Sequence, residues 1–216
     1  MKKLANYIIE SNMSLSHGKK GIIVFDIDDT LLKSNPNIIA VYKCEPGKPE
    51  KRLSTTEFAK DPDAEDPNKQ DWFDYREFKN PYKVYNSIVT AKPLVRNLKI
   101  LDNYVNLGYD FCFLTARSCE ETIKKAIDNF LLIRNKNTGQ LMEIGKHFNK
   151  EESHAINDTT KQYYGLTTSD KKAAILKHLC RTYDKVVFVD DDLKNLIAAN
   201  NLKLHNLTTI KSHKDN

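Results

Sequence analysis

Residues 21–32 read Gly-Ile-Ile-Val-Phe-Asp-Ile-Asp-Asp-Thr-Leu-Leu, an apolar, β-branched run that ends in three acids. Ile22, Ile23, Val24 and Phe25 carry no polar alternation. They predict a strand buried on both faces, as in a parallel sheet covered by helices on either side. This constrains the whole chain, because parallel strands need long crossovers and open α/β sheets bind ligands beyond the carboxyl ends of their strands. Asp26, Asp28 and Asp29 stand at that end. Carboxylates so close together repel, so a positive group is expected among them, most simply a divalent cation held by oxygen.

A carboxylate at a strand tip can ligate metal, attack as a nucleophile or carry a proton. Asp26, pointing into the crevice, suits the first two roles. Asp28 lies two residues on and so shares its side of an extended backbone. It could therefore pass a proton to and from the same reacting group. The competing reading is a polar strand end solvated at the surface. An EF-hand loop fits poorly: Leu31 occupies the position that needs glycine, and a strand rather than a helix precedes it.

Two more apolar runs, Tyr109–Leu114 and Lys185–Val189, predict buried strands. Thr115 follows the first; Asp190, Asp191 and Asp192 follow the second. Between them, Thr168 or Ser169 can cap a helix reaching about Tyr183, with Lys171 and Lys172 in its opening turns. Further helices are predicted over residues 2–15, over 93–107 with Pro93 at its first position and Gly108 as its stop, over 120–133, and over 193–200. Asp192 is the expected cap of the last helix. A final strand is expected near Leu202–His205, and the polar tail Lys211–Asn216 is expected to fray. Strands alternating with helices predict an α/β, Rossmann-like parallel sheet flanked by helices.

Phe-Asp-Ile-Asp-Asp-Thr-Leu resembles motif I of the haloacid dehalogenase (HAD) superfamily of phosphohydrolases. Phe111-Cys-Phe-Leu-Thr115-Ala-Arg117 resembles motif II. Ser169-Asp-Lys171-Lys172-Ala-Ala-Ile-Leu resembles motif III, and Val186-Val-Phe-Val-Asp190-Asp191-Asp192 resembles motif IV. The resemblance covers roughly residues 20–34 and 93–205. It implies that Asp26 attacks phosphorus to form an aspartyl-phosphate. Asp28 would protonate the leaving oxygen, then deprotonate the hydrolytic water, and its backbone carbonyl would ligate the metal. Thr115 would hydrogen-bond a phosphoryl oxygen. Arg117 would reach phosphate or pin a loop. Lys172 fits motif III better than Lys171, since Lys-Ala-Ala-Ile-Leu-Lys begins there. Asp191 aligns as direct metal ligand, with Asp190 beside it as a water-mediated ligand or a support. The expected cofactor is Mg²⁺, which favours oxygen ligands and retained waters.

The 216 residues suit a single HAD-like domain, 1–216, rather than two independent ones. All seven prolines lie between residues 36 and 93. Residues 33–92 are therefore read as a flap or small cap inserted after the first core strand. Within it, Ile38–Cys44 and Lys51–Thr55 form an expected hairpin and residues 60–71 an expected loop. The aromatics of Trp72–Phe78 are read as the segment's own small core. Asn135–Gly139 reads as a turn, and residues 134–166 as a second short insertion. His147 and His154 lack a familiar zinc spacing. Leu53–Ala59 and Phe73–Phe78 resemble segments of uncharacterised bacteriophage HAD proteins, which implies a host cytoplasm.

A net charge of +5 with interspersed signs suits an anionic substrate. Four cysteines without a Cys-x-x-Cys pair read as free thiols in a reducing compartment. With no long apolar run and no leader pattern, a cytoplasmic protein is expected, without membrane or obligate protein partner. Three functions compete. The first is a Mg²⁺-dependent phosphatase of the HAD type that hydrolyses phosphate monoesters, with a phosphorylated small molecule or a nucleotide or nucleic-acid end as its partner. The second is an end-processing phosphatase for nucleotides or nucleic acids, motivated by the small cap and the mild positive charge. The third is a HAD-fold binding protein without turnover, against which the presence of Asp26, Asp28, Thr115, Lys172 and Asp191 together argues.

Overall fold

The computed structural model describes residues 21–58, 60–138, 142–158 and 166–213. The helix expected over residues 2–15 lies outside them. The first strand, β1 (Ile22–Phe25), leads into β2 (Leu32–Lys33) and then into a small antiparallel sheet of β3 (Val41–Lys43), β4 (Lys51–Leu53) and β5 (Phe73–Asp74). Helices α1 (Thr55–Phe58) and α2 (Pro81–Val89) lie in the same stretch, and β6 (Lys92–Pro93) closes it by pairing antiparallel with β2. The chain continues through α3 (Val95–Asn106), β7 (Asp110–Thr115), α4 (Glu120–Thr138), α5 (Met142–Lys146) and β8 (His154–Ala155). It ends with α6 (Thr168–Thr182), β9 (Val186–Asp190), α7 (Leu193–Asn201) and β10 (Leu207–Lys211).

Five strands form the main sheet in the order β10-β9-β1-β7-β8, every pair parallel. Side-chain parity sorts its core into two layers. Ile23 and Phe25, Phe111 and Phe113, Val187 and Val189 face one side, where α2, α3 and α4 supply Ile88, Leu101, Val105, Ile123 and Ile127. Ile22 and Val24, Cys112 and Leu114, Val186 and Phe188 face the other, against Ile175, Leu176 and Leu179 of α6 and Leu196 and Ala199 of α7. All four residues of β1 are fully buried, as burial on both faces requires. The chain runs outward from β1 to β8, then returns to β9 on the other side of β1. The strand order therefore reverses at the β1/β9 boundary, where an open α/β sheet forms its ligand crevice.

The expected hairpin is β3–β4. Its turn has Pro46 and Gly47 at the central positions, and Gly47 takes φ +77°, a conformation glycine reaches without a Cβ clash. Val41, Leu53 and Phe73 form a separate small core with Phe58, Trp72, Tyr75 and Phe78 against it. Phe58 sets its ring edge-on to both Phe73 and Tyr75, at 5.2 and 5.6 Å. Residues 60–71 are more ordered than a plain loop. Asp61 and Asp66 cap two 3₁₀ turns, Pro62–Glu65 and Pro67–Trp72, each with proline at its start.

Several expectations need correction. The segment 33–92, read as hairpin, loop and aromatic cluster, also holds helix α2, with Pro81 in its first turn and Asn80 as its cap. Helix α3 starts at Val95, because Pro93 belongs to β6. Residues 135–138 continue α4 rather than turning. The last strand is Leu207–Lys211, five residues later than Leu202–His205, since α7 runs to Asn201 and a turn follows. Of the tail expected to fray, Ser212 and His213 are tied down, the backbone N–H of Ser212 donating to Asp190 O and that of His213 to Asn97 Oδ1, and residues 214–216 lie outside the described residues. In the stretch read as a second insertion, Ile144 and Phe148 enter the main core and His154–Ala155 forms the edge strand.

Edge strand β8 is fastened to α4 through Glu120. Its carboxylate accepts from the Ala155 amide at 3.0 Å and from Lys124 at 2.7 Å, and lies 3.6 Å from His154 Nδ1. Burial opposes its charge, but His154, Lys124 and the Ala155 amide outweigh burial and bring its pKa from 4.5 down to about 2. A depressed carboxylate pKa stabilises the fold fully above the unfolded value and ceases to do so as pH falls through the folded one. Glu120→Gln is expected to lower the unfolding free energy at pH 7 by about 1–2 kcal/mol. Urea titrations should show that gap narrowing between pH 4.5 and 2.

Candidate active site

The crevice is built where β1 and β9 end. The Asp26 N–H donates to Val189 O at 3.0 Å, which carries the ladder one residue past β1. The chain then turns sharply: the Ile27 carbonyl accepts from the Leu31 and Leu32 amides at 3.1 and 3.0 Å, and Asp29 takes φ +53°. Aspartate tolerates that left-handed conformation better than most residues. The turn thus begins at Ile27, and Asp28 forms an isolated bridge with Leu32 inside it. The two carboxylates have different partners, though Asp28 is near enough for its charge to disfavour ionisation of Asp26.

Asp26 and Asp190 have even parity on their strands, so both point to the α6 side of the sheet. In the first turns of α6, Lys172 is 2% exposed and its Nζ donates to Asp26 Oδ1 and to Asp190 Oδ2, each at 2.8 Å. A helix turns about 100° per residue; Lys171 is half-buried and points elsewhere. Thr167, one residue before Thr168, caps the helix by accepting from the Asp170 amide. Asn195 of α7 adds a bond from Nδ2 to Asp190 Oδ2 at 3.0 Å, and the Asp192 amide donates to Asp190 Oδ1 at 2.8 Å. Asp192 itself caps α7.

Burial raises the Asp26 pKa well above the usual carboxylate range, beyond what Lys172 offsets, with Asp190 and Asp28 adding repulsion. Burial alone would weaken the Lys172 ammonium, but Asp190 and Asp26 outweigh it and raise its pKa. The site remains short of positive charge. Oxygens of Asp26, Asp190 and Asp191 lie within 4.8 Å of one another, and one lysine faces them. A compact, all-oxygen, net-negative donor set fits a hard divalent cation. This is the one such group of His, Cys, Asp or Glu among the described residues, and neither His147 nor His154 is in it. The Thr30 hydroxyl donates to Asp191 Oδ1 at 3.4 Å.

Asp28 turns to Arg117 instead. The guanidinium is 3% exposed and grips the carboxylate in a fork, Nε to Oδ2 and Nη2 to Oδ1, both 2.7 Å. Its third nitrogen, Nη1, donates to Ser87 Oγ of α2 at 2.6 Å, and the Ser34 hydroxyl donates to Asp28 Oδ1. Burial would raise the Asp28 pKa, but the Arg117 charge and hydrogen bonds, with Ser34, more than reverse it. Thr115, buried at the end of β7, accepts from the Arg117 amide at 3.3 Å. The loop is braced by the Ile156 amide on Thr115 O at 2.9 Å and by Asn157 Nδ2 on Ala116 O.

Sequence reasoning missed Ser34, Ser87 and Asn195. Asn195 left a trace, a polar residue one turn into a helix that opens beside three acids. Ser87 left none, since its helix was not expected.

The parallel sheet, the reversal at β1/β9 and the Asp–Lys–Asp bridge beside a third carboxylate define an α/β protein of the HAD type. A family profile described as HAD superfamily, subfamily IIIB (acid phosphatase), matches residues 1–211. The chain belongs to that family, and its class of activity is phosphoric monoester hydrolysis. No curated protein matches the chain significantly. Among the described residues no helix is long and apolar enough to cross a membrane.

Proposed function

We propose that the protein is a Mg²⁺-dependent phosphatase that cleaves phosphate monoesters through an aspartyl-phosphate on Asp26. One observation carries the reading: Lys172 bridges Asp26 and Asp190 beside Asp191, a buried site whose residual negative charge calls for a cation. The cation would be held by Asp26, Asp191 and the Asp28 carbonyl. Asp190, already occupied by Lys172, Asn195 and the Asp192 amide, orients that set. When bound, Mg²⁺ supplies charge neutralisation at the phosphoryl oxygens.

An Asp26 oxygen attacks phosphorus as the bond to the leaving oxygen breaks, and Asp28 gives that oxygen its proton. Water then attacks the aspartyl-phosphate, Asp28 takes the water's proton, and Asp26 is released as carboxylate. Lys172 offsets charge on the transferring group, and the Thr115 hydroxyl donates to one of its oxygens. The ordinary form of an Asp28 paired with Arg117 is ionised. Phosphoryl oxygens entering the site compete for the Arg117 fork, which loosens its hold on Asp28 and lets that carboxyl carry a proton. Residues 33–92 form a flap or small cap in this reading, supported by the Thr55 and Thr56 hydroxyls that reach Asp29 Oδ2 at 3.5 and 3.4 Å.

Hydrolysis of a generic aryl phosphate tests this. Turnover should vanish in EDTA and return when Mg²⁺ is restored. A rate indifferent to EDTA would sink the metal-dependent mechanism.

A further inference from the structure

The three carboxylates of the cation group come from two loops far apart in sequence, and the sheet ladder aligns those loops only as far as the bond from the Asp26 amide to Val189 O. Beyond that point the loops are joined through Asn97 and the residues after β10. Asn97 lies in the first turn of α3, among Leu94, Leu98 and Leu101, and is fully buried. A side chain there would gain most by being apolar, so a buried amide implies specific partners. It has three. Nδ2 donates to Thr30 O at 2.7 Å and to His213 O at 3.1 Å, and Oδ1 accepts from the His213 amide at 3.0 Å.

Ser212 completes the bracket from the adjacent position. Its amide donates to Asp190 O at 2.9 Å and its hydroxyl to Asp29 O at 3.1 Å. The backbone of the first acidic loop, at Asp29 and Thr30, is thus tied to the backbone of the second, at Asp190. The Thr30 side chain then reaches across to Asp191 Oδ1. Asn97 touches no carboxylate of the group, yet it holds the carbonyl of the residue that orients one of them.

We propose that Asn97 and Ser212 are positioning residues that lock the Asp26–Leu31 loop against the end of β9 and thereby set the affinity of the Asp26–Asp190–Asp191 group for a divalent cation. This rests on the reading of that group as a metal site. The plainer role, a hydrogen-bonded amide that closes the start of α3, would cost stability when lost and would leave the cation affinity of the folded protein unchanged.

The test is Mn²⁺ binding, followed by the electron paramagnetic resonance of the free ion, on wild type, Asn97→Leu and Ser212→Ala, with folding checked by circular dichroism. The dissociation constant is expected to rise about tenfold in Asn97→Leu and about threefold in Ser212→Ala, the scale typical of residues that orient metal ligands. In Ser212→Ala, kcat at saturating cation should return to the wild-type value, so that the loss appears only at limiting cation. Unchanged Mn²⁺ affinity in the folded variants would overturn the proposal. If Asn97→Leu does not fold, Ser212→Ala decides alone by the same criterion. A control, Asp191→Asn, separates the underlying reading: Mn²⁺ binding as tight as wild type there would overturn the metal site itself, whatever Asn97 and Ser212 do.

Discussion

Asp26→Asn is expected to reduce turnover of any phosphate monoester by roughly 10⁵-fold, the scale seen when a covalent nucleophile is removed. The amide keeps the size of the side chain and its place at the end of β1, but it cannot form the acyl-phosphate bond. The same substitution should leave the fold at least as stable in EDTA. The Asp26 carboxylate is buried, and Asp190 and Asp28 repel its charge. Lys172 keeps Asp190 as a partner at 2.8 Å. Rate measurements on an aryl phosphate and urea unfolding of the same preparation check both halves. Turnover at the wild-type level would remove Asp26 from the nucleophile's role. A large loss of stability would mean that activity fell for structural reasons.

Lys172→Met is expected to be the most destabilising single change at the site. Methionine matches the length of the lysine stem, so packing near Phe188, whose ring centre lies 5.9 Å from Nζ, is largely kept. What is lost is the cation between two carboxylates that are 6% and 1% exposed. Removing one partner of a buried ion pair typically costs about 3–5 kcal/mol, because the other charge stays buried and uncompensated. In EDTA the unfolding free energy should fall by that amount. Added Mg²⁺ should restore part of it, since a ligand that binds only the folded form stabilises by mass action. Asp26→Asn combined with Lys172→Met should be less destabilised than Lys172→Met alone, because the two residues are in contact and one repelling charge is gone. Urea unfolding of the four proteins, each with and without Mg²⁺, provides the cycle. A loss below about 1 kcal/mol for Lys172→Met in EDTA would show that the triangle carries no uncompensated charge.

Much of the fold was legible because its central strands carry no amphipathic ambiguity. Ile22–Phe25, Phe111–Leu114 and Val186–Val189 are apolar at every position, and only a sheet covered on both faces buries them all. The acids after β1 and β9 were readable for the same reason: a charge that ends such a run stands at the crevice. Less was legible where local signals conflicted. Pro81 opens a nine-residue helix, but seven prolines in one stretch argued against a long helix there and gave no sign of a short one. The end of α7 and the start of β10 differ by a turn that leaves no strong mark between Leu202 and Leu207.

The site divides along the same line. By itself the sequence determined the inventory of charged groups at the carboxyl ends of the strands and the order in which the chain delivers them, because hydrophobic runs and helix caps are local properties. Only the tertiary structure decided how they pair. The rotation of α6 chose Lys172 over Lys171. The turn at Ile27 and the packing of Arg117 put Asp28 in the guanidinium fork. The packing of α2, α3 and the segment after β10 brought Ser87, Asn97 and Ser212 against loops far away in sequence. Those pairings depend on distances between elements, which are set by the summed packing of two core layers, and no local pattern of residues encodes them.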